Sequence, residues 1–156
     1  MPPTGPLGAW GFADLERFAP ITPSEENLIR IRVDEIPVYG ALSFRIIQVR
    51  RGLCIATVPR NRSYDGIFDT FHGGMLLTVA DSAAAIAVLT TCGADAKIAT
   101  TDMGIRFLAP ATDDVVVRME VIKTGRTLVP LQGELRDQYG GPLAICQVTY
   151  IRLPRT

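Results

Sequence analysis

A chain of 156 residues with 47% apolar and 21% charged side chains has the size and composition of one globular domain with a single core. Its 16 basic and 16 acidic residues cancel, so no overall charge would draw the protein to nucleic acid or to a membrane. The cysteines, Cys54, Cys92 and Cys146, form no Cys-x-x-Cys pair, and the single histidine leaves a zinc site poorly supplied. We therefore expect free thiols, no metal and, since no signal-like segment opens the chain, a cytoplasmic protein.

Residues 1–22 are rich in proline and glycine, and we interpret them as an N-terminal extension that is either flexible or packed on a neighbouring subunit. Residues 23–156 are expected to form a single domain. This domain begins with a helical segment, because Pro23 is followed by acidic residues in a first turn and then by apolar residues at helical spacing. Pro37 is expected to end that helix.

After Leu42 the apolar residues recur with a period of two, which predicts strands. Two strands, Leu42–Arg50 and Leu53–Pro59, form a hairpin around Arg51-Gly52. Four more follow a central apolar run: Ile98–Ala109, Val115–Lys123, Thr127–Asp137 and Leu143–Leu153. Their short connections predict antiparallel pairing, and hence an α+β protein in which one helix packs on one curved sheet.

The central apolar run extends from Phe71 to Leu89 and contains one charged side chain, Asp81. It consists mostly of good helix formers and is apolar on nearly all sides, which predicts a buried helix over about residues 73–91. The run opens with a histidine and two glycines. The free amides of such a helix start attract anions and carbonyl oxygens.

Two other interpretations of Asp81 stay open at this point. Asp81 and Ser82 precede a row of alanines and would also form a good N-cap, in which case residues 73–80 would be a strand. Alternatively, Asp81 is a structural carboxylate with partners of its own. A lone aspartate in apolar surroundings requires an explanation, and we favour a functional role.

Several motifs together resemble the hotdog-fold acyl-CoA thioesterases, in particular their PaaI-like branch. The motifs are His72-Gly73-Gly74 with Asp81 seven residues later, Thr100-Thr101-Asp102-Met103 opening a strand that ends in Phe107-Leu108-Ala109-Pro110, Gly125-Arg126-Thr127, and Gly140-Gly141-Pro142-Leu143. The resemblance covers roughly residues 42–153. It implies a hotdog fold, with a curved antiparallel sheet wrapped around one long helix, and assembly as a homodimer or a dimer of dimers.

The resemblance also implies a function, the hydrolysis of an acyl-CoA thioester with no cofactor beyond the coenzyme A of the substrate. The backbone N–H of Gly73 would polarise the thioester carbonyl, and Asp81 would act as base on water or as nucleophile. Thr100 would help to hold the water. His72 and Gly74 are placed at the substrate, and for His72 we expect a capping or loop-shaping role rather than a catalytic one.

The chain departs from the family pattern in the loop before the histidine. The family commonly has an asparagine six residues before it and a glycine three before it, whereas this chain has Gly66 and Asp69. Asn61 or Tyr64 would have to replace the missing amide, and Tyr64 is our candidate substrate contact there. Either the loop, residues Asn61–Phe71, is then remodelled for an unusual acyl group, or the activity is weak.

Lys123 and Arg126 are candidate ligands for the phosphates of coenzyme A, with a solvated turn as the alternative. Two rival functions also stay open. The missing amide is compatible with a non-catalytic binder of acyl-CoA or aromatic ligands. A hotdog hydratase or dehydratase is disfavoured, because no His-Phe-Pro-type segment precedes the helix.

The geometry of a helix predicts that the site is shared between subunits. Seven residues place Asp81 about 10 Å along the axis from Gly74, at a rise of about 1.5 Å per residue. Both groups must reach one carbonyl, and an oxyanion donor works at about 3 Å. We therefore expect an obligate dimer in which Gly73 and Asp81 of one site come from different chains.

Overall fold

The computed structural model of the protein describes residues 6–155. Residues 1–5 of the predicted N-terminal extension lie outside the described part of the chain. The division into an extension and a domain at residue 22 stays a prediction.

Six strands form one antiparallel sheet, and most of them agree with the predicted segments to within a few residues. In chain order they are β1 (Arg45–Arg50), β2 (Leu53–Val58), β3 (Ile98–Phe107), β4 (Val115–Val121), β5 (Leu128–Asp137) and β6 (Pro142–Arg152). Their spatial order is β1-β2-β4-β5-β6-β3. The strand β3 therefore does not pair with its successor β4 but crosses to the far edge of the sheet, where it pairs with β6.

The long helix α4 (Gly73–Cys92) is continuous, so the alternative of a strand over residues 73–80 and an N-cap at Asp81 is wrong. It lies against one face of the sheet, chiefly on β4 and β2, and its apolar side chains form the centre of the core. By length and composition α4 could cross a membrane, but 67% of its most apolar window is buried inside the protein. This burial is typical of a core helix in a globular domain.

Three shorter α-helices and one turn of 3₁₀ helix (Leu15–Arg17) precede the first strand in the described part of the chain: α1 (Pro6–Ala9), α2 (Pro23–Asp34) and α3 (Pro37–Ala41). A capping box starts α2, in which Thr22 and Glu25 each bond the other's backbone amide. The proline Pro37 does not terminate α2 directly, since α2 ends at Asp34 and Pro37 instead opens α3. Proline suits the first position of a helix, because a backbone amide hydrogen at this position would have no acceptor within the helix.

The N-terminal segment packs on the outer face of its own sheet, opposite α4. Trp10 and Phe12 are buried in a second apolar cluster with Leu53, Ile55 and Val116. The neighbouring Asp14 accepts hydrogen bonds of 2.7 and 3.2 Å from Arg118, a largely buried side chain of β4. The segment thus closes one side of the sheet by apolar burial and one charged contact.

The edge strand β3 contains a bulge close to its beginning. Thr100 pairs with Tyr150 of β6 and Asp102 with Thr149, so that Thr101 is an extra residue with no pair. A bulge of this kind shifts the phase of the side chains along a strand. As a result Thr100 faces α4 on the same side of the sheet as Met103, three residues later.

Candidate active site

The first turn of α4 leaves one backbone amide without a partner. His72 is the N-cap, and its Nδ1 accepts a hydrogen bond of 2.9 Å from the amide of Gly74. The amides of Met75 and Leu76 donate to the carbonyl of His72. Within the described part of the chain, the amide of Gly73 has no acceptor. The predicted capping role of His72 is therefore visible in the structure, and the free amide is the one that sequence analysis assigned to the thioester carbonyl.

The far end of β3 covers this helix start. The ring of Phe107 lies so close to Gly73 that a Cβ atom at this glycine would sit 3.0 Å from the ring Cζ. Phe107 itself is 48% exposed. Gly73 is thus accessible only along the side that the aromatic ring leaves open.

Asp81 lies two turns further along α4, and two hydroxyl groups hold its carboxylate. Thr100 donates to Oδ1 at 2.8 Å, and Tyr150 donates to the same oxygen at 2.7 Å. The Tyr150 hydroxyl is also 3.1 Å from the backbone carbonyl of Asp81. No hydrogen bond reaches Oδ2 from any described residue, and Oδ2 is not among the fully buried unpaired atoms. One carboxylate oxygen is therefore fixed and the other stays available.

The carboxylate lies at the wall of a cavity of about 310 Å³ between α4, the start of β3 and the helices α2 and α3. Most of its lining is apolar: Val33, Ile36, Val38, Ala85, Leu89 and Ile98. Asp81, Thr100 and Tyr150 supply the polar groups on one side. An apolar pocket with a few converging polar groups is the usual form of a small-molecule site.

Two further titratable or charged side chains, Tyr39 and Arg32, line this pocket, and the Cys54 thiol is close to Tyr39. Tyr39 of α3 donates to the backbone carbonyl of Ser82 at 2.8 Å, and burial raises its pKa well above the ordinary value. Behind it, burial raises the pKa of the Cys54 thiol to about 12. Arg32 of α2 binds the carbonyls of Ala94 and Ala96 at 2.6 and 2.8 Å.

The loop before α4 keeps its shape without the residues typical of the family. Asp69 has a φ of +57°, a left-handed conformation that aspartate tolerates better than most residues, and it stands where the family has glycine. Arg60 braces the loop through Asp65 at 2.6 Å and the carbonyl of Asp69 at 2.8 Å. A Cβ atom at Gly66 would meet only ordinary contacts, the nearest at 3.6 Å from His72.

Neither proposed substitute for the missing amide points freely into a site. The side chain of Asn61 accepts from Ser63, and the hydroxyl of Tyr64 donates to the carbonyl of Ala41 at 2.7 Å. These contacts hold the loop locally. The assignment of Tyr64 to substrate binding stays a prediction.

Lys123 and Arg126 lie on the exposed turn between β4 and β5. Val129, three residues beyond Arg126, pairs with Tyr150, which in turn pairs with Thr100. The turn is therefore at the same end of the sheet as the Asp81 carboxylate. This position is compatible with the predicted contact to coenzyme A, which stays a prediction.

Sequence analysis missed Tyr150, because its proximity to Asp81 depends on the pairing of β3 with β6. It also missed that α2 and α3 wall the cavity. The alternation of apolar residues in β6 placed Tyr150 on the inner face, and an inward tyrosine hydroxyl requires a partner. The need of this buried hydroxyl for a hydrogen-bond partner could therefore have pointed to Tyr150 as a residue of the site.

Comparison with known proteins agrees with this geometry. A family model described as the thioesterase superfamily matches residues 68–144, just under half of the chain. Acyl-coenzyme A thioesterase 13 of Homo sapiens is 27% identical over 100 residues, which are 63% of this chain and 71% of the relative. A putative esterase of Saccharolobus solfataricus is 25% identical over 104 residues, 66% of this chain and 74% of the relative.

Solved structures show the same fold. A thioesterase family protein from Silicibacter pomeroyi is 25% identical with a TM-score of 0.78, covering 84% of this chain and 99% of that one. The PaaI protein from the phenylacetic acid degradation operon of E. coli is 19% identical with a TM-score of 0.78, covering 85% and 95%.

A six-stranded antiparallel sheet packed on one long helix is the hotdog architecture, and the predicted fold is confirmed. Over residues 68–144 the chain is similar to the thioesterase superfamily, in agreement with the resemblance seen in the sequence.

Proposed function

We propose that this protein hydrolyses an acyl-CoA thioester to the free acid and coenzyme A. The observation that carries the proposal is the Asp81 carboxylate, held through one oxygen while the other is available beside an apolar cavity. The unpaired Gly73 amide and the similarity to an acyl-coenzyme A thioesterase support the same reaction.

Hydrolysis with Asp81 as base proceeds in two steps. Water attacks the carbonyl carbon and gives its proton to Oδ2, while the Gly73 amide donates to the developing oxyanion. The tetrahedral intermediate then collapses and the C–S bond breaks. The coenzyme A thiolate leaves and takes up the proton that Oδ2 accepted from water. With Asp81 as nucleophile instead, Oδ2 bonds to the carbonyl carbon, the thiolate leaves, and water cleaves the resulting anhydride.

One chain by itself keeps the two groups apart. Eight residues of α4 separate Gly73 from Asp81, which is about 12 Å along the axis. The strand β3 contacts both groups, Asp81 through Thr100 and Gly73 through Phe107. Thr100 and Phe107 are seven residues apart along β3, which corresponds to about 23 Å of strand.

A second copy of the chain would bring the two groups together. The strand β3 is at the edge of the sheet, and in the described part of the chain it pairs on one side only. Antiparallel pairing of two β3 strands about a two-fold axis between Met103 and Gly104 would bring Thr100 close to Phe107 of the second copy, the bulge at Thr101 shifting the register by one residue. Paired strands lie about 5 Å apart. Each site would then combine Asp81 of one copy with Gly73 of the other.

The acyl group would occupy the cavity beside Asp81. Its apolar walls and volume of about 310 Å³ favour a compact aliphatic or aromatic acyl group without charge. The loop tip of the second copy would approach the rim of this cavity, and its Ile67 and Phe68 are 90% and 83% exposed. In the same arrangement Lys123 and Arg126 are available to the phosphates of coenzyme A. The reaction requires no other cofactor, and a cytoplasmic location stays our prediction.

A panel of acyl-CoA thioesters tests the proposed reaction through release of free thiol. Asp81→Asn should fold and assemble normally but lower turnover at least about 100-fold, the scale of a lost base. Turnover near the wild-type level in Asp81→Asn would reject this carboxylate as the reacting group. Binding of acyl-CoA by the wild-type protein without any thiol release would instead favour a non-catalytic binder, the candidate that the absence of an amide at Gly66 keeps open.

Mixing two inactive variants tests whether the site is shared. In a mixed dimer of Asp81→Asn and Gly73→Pro, one site carries both changes and the other carries neither. Random exchange makes about half of the dimers mixed, so activity should recover to roughly a quarter of wild type. Mass spectrometry verifies the exchange. A fully exchanged mixture as inactive as its parents would show that each site is built within one chain.

A further inference from the structure

Tyr150 has no part in the reaction as proposed so far, yet its hydroxyl makes the shortest hydrogen bond to Asp81. The side chain is 5% exposed and reaches Oδ1 at 2.7 Å from β6. Thr100 reaches the same oxygen at 2.8 Å from β3. The two donors stand directly opposite each other in the β3–β6 ladder.

Two donors on one oxygen fix the rotation of the carboxylate. Any turn about the Cβ–Cγ bond that moves Oδ1 away from Thr100 also moves it away from Tyr150, so both hydrogen bonds are lost together. The remaining oxygen, Oδ2, is therefore held towards the cavity. A base or nucleophile gains rate when its reacting atom is kept in one orientation rather than sampling several.

Tyr150 remains a donor over the whole range in which the protein would work. Burial raises the pKa of its hydroxyl well above the ordinary value, and the nearby Asp81 charge acts in the same direction. The O–H group therefore stays protonated and can only donate its hydrogen to the carboxylate. Thr100 has no titratable group at all.

We propose that Tyr150 is a positioning residue that, together with Thr100, holds Oδ1 of Asp81 and so makes Oδ2 the reacting oxygen. This inference deepens the proposed thioester hydrolysis and rests on it for its catalytic meaning. Its structural content is independent of that reaction, since it concerns the orientation of one carboxylate.

Tyr150→Phe removes only the hydroxyl, and Tyr39→Phe is its matched control. Tyr39 is also buried, at 7% exposure, and also donates to a backbone carbonyl of α4, that of Ser82. Its hydroxyl donates to this carbonyl and not to the carboxylate. The other groups around Asp81, Arg32 on α2 and the Cys54 thiol behind Tyr39, are unchanged in both variants.

The decisive measurement is the ¹³C resonance of the Asp81 side-chain carboxyl group at one fixed pH, in protein labelled at aspartate carboxyl groups. The resonance is assigned by its loss in Asp81→Asn. Tyr150→Phe should displace this resonance, because the carboxylate loses one of the two hydrogen bonds to Oδ1. Tyr39→Phe should leave it in place. An undisplaced resonance in Tyr150→Phe, or equal displacements in both tyrosine variants, would overturn the inference.

The kinetic consequence is read from kcat and KM measured separately at one pH. Tyr150→Phe should lower kcat roughly tenfold, with a smaller effect on KM. If Tyr150→Phe fails to fold, Thr100→Val removes the second donor at nearly constant volume, and the Asp81 resonance should be displaced in that variant. An undisplaced resonance in Thr100→Val would then reject the inference. A displaced resonance in a protein that hydrolyses no thioester would leave the held carboxylate intact and reject the proposed function instead.

Discussion

The most specific test of the proposed oxyanion donor is a proline at Gly73. This glycine occupies the first position of α4, where proline is well tolerated. Its amide has no acceptor in the described part of the chain, so proline removes no hydrogen bond of the fold. The preceding residue, His72, has φ −58° and ψ 133°, a conformation that suits a residue before proline. Gly73→Pro therefore deletes the amide hydrogen at little cost to the helix.

Gly73→Ala is the matched control for this change. Either new side chain places a Cβ atom 3.0 Å from the Phe107 ring, which must move by a few tenths of an ångström. Because the ring is 48% exposed, it has room to do so, and both variants share this steric cost. They differ in the N–H group and in the proline ring that replaces it.

Loss of one oxyanion donor typically lowers kcat by about 10²- to 10³-fold, or about 3 kcal/mol of transition-state stabilisation. We expect this difference between Gly73→Pro and Gly73→Ala in steady-state hydrolysis of the best acyl-CoA of the panel, with circular dichroism and size measurements confirming fold and assembly. If both variants are equally active, the Gly73 amide does not stabilise the transition state. A rise in KM alone would mean that the proline ring only obstructs the substrate.

Three further outcomes can be measured with the same protein. Thr100→Ala should lower kcat with little change in KM, since the hydroxyl orients the carboxylate or its water; a large rise in KM at unchanged kcat would assign it to substrate binding. Gly66→Asn should fold, because a Cβ atom at this position lies no closer than 3.6 Å to any neighbouring atom. It restores the side-chain amide typical of the family, so kcat should rise several-fold. Unchanged kinetics would show that the missing amide does not limit the activity. The Arg118 guanidinium holds the pKa of the Asp14 carboxyl well below its ordinary value, so this contact stabilises the fold above about pH 4 and is lost as the pH falls further. Denaturant unfolding at pH 7 should give Asp14→Asn a lower free energy of unfolding than wild type, and this difference should shrink below about pH 4. A difference that does not depend on pH would show that the Asp14 charge does not stabilise the fold.

Much of the architecture could be predicted from local patterns, because those patterns depend on neighbours in sequence. The apolar run after His72 predicts α4 and its burial, and the alternation of residues predicts six strands. Gly73 and Asp81 stand out for chemical reasons, one as a helix-start amide and the other as a lone charge in an apolar run.

The parts that could not be predicted depend on pairing between distant segments. The crossing of β3 to the far edge brings Tyr150 beside Thr100, and no short-range signal specifies that neighbour. The N-terminal segment is similar, since Trp10 and Phe12 showed no period that would assign them to the outer face of the sheet. Asp69 takes the left-handed conformation in place of a glycine, which composition alone does not reveal.

The bulge at Thr101 has a consequence for how the chain tolerates insertions and deletions. In a regular strand of the same sequence, Thr100 and Met103 would be three residues apart and would face opposite sides of the sheet. Deleting Thr101 would remove the bulge and leave these two residues two apart, so both would stay on the side that faces α4. The donor to Asp81 and the packing of Met103 would therefore survive the deletion. At this point of the strand, neither the side chain nor the presence of the extra residue decides which residues face the helix.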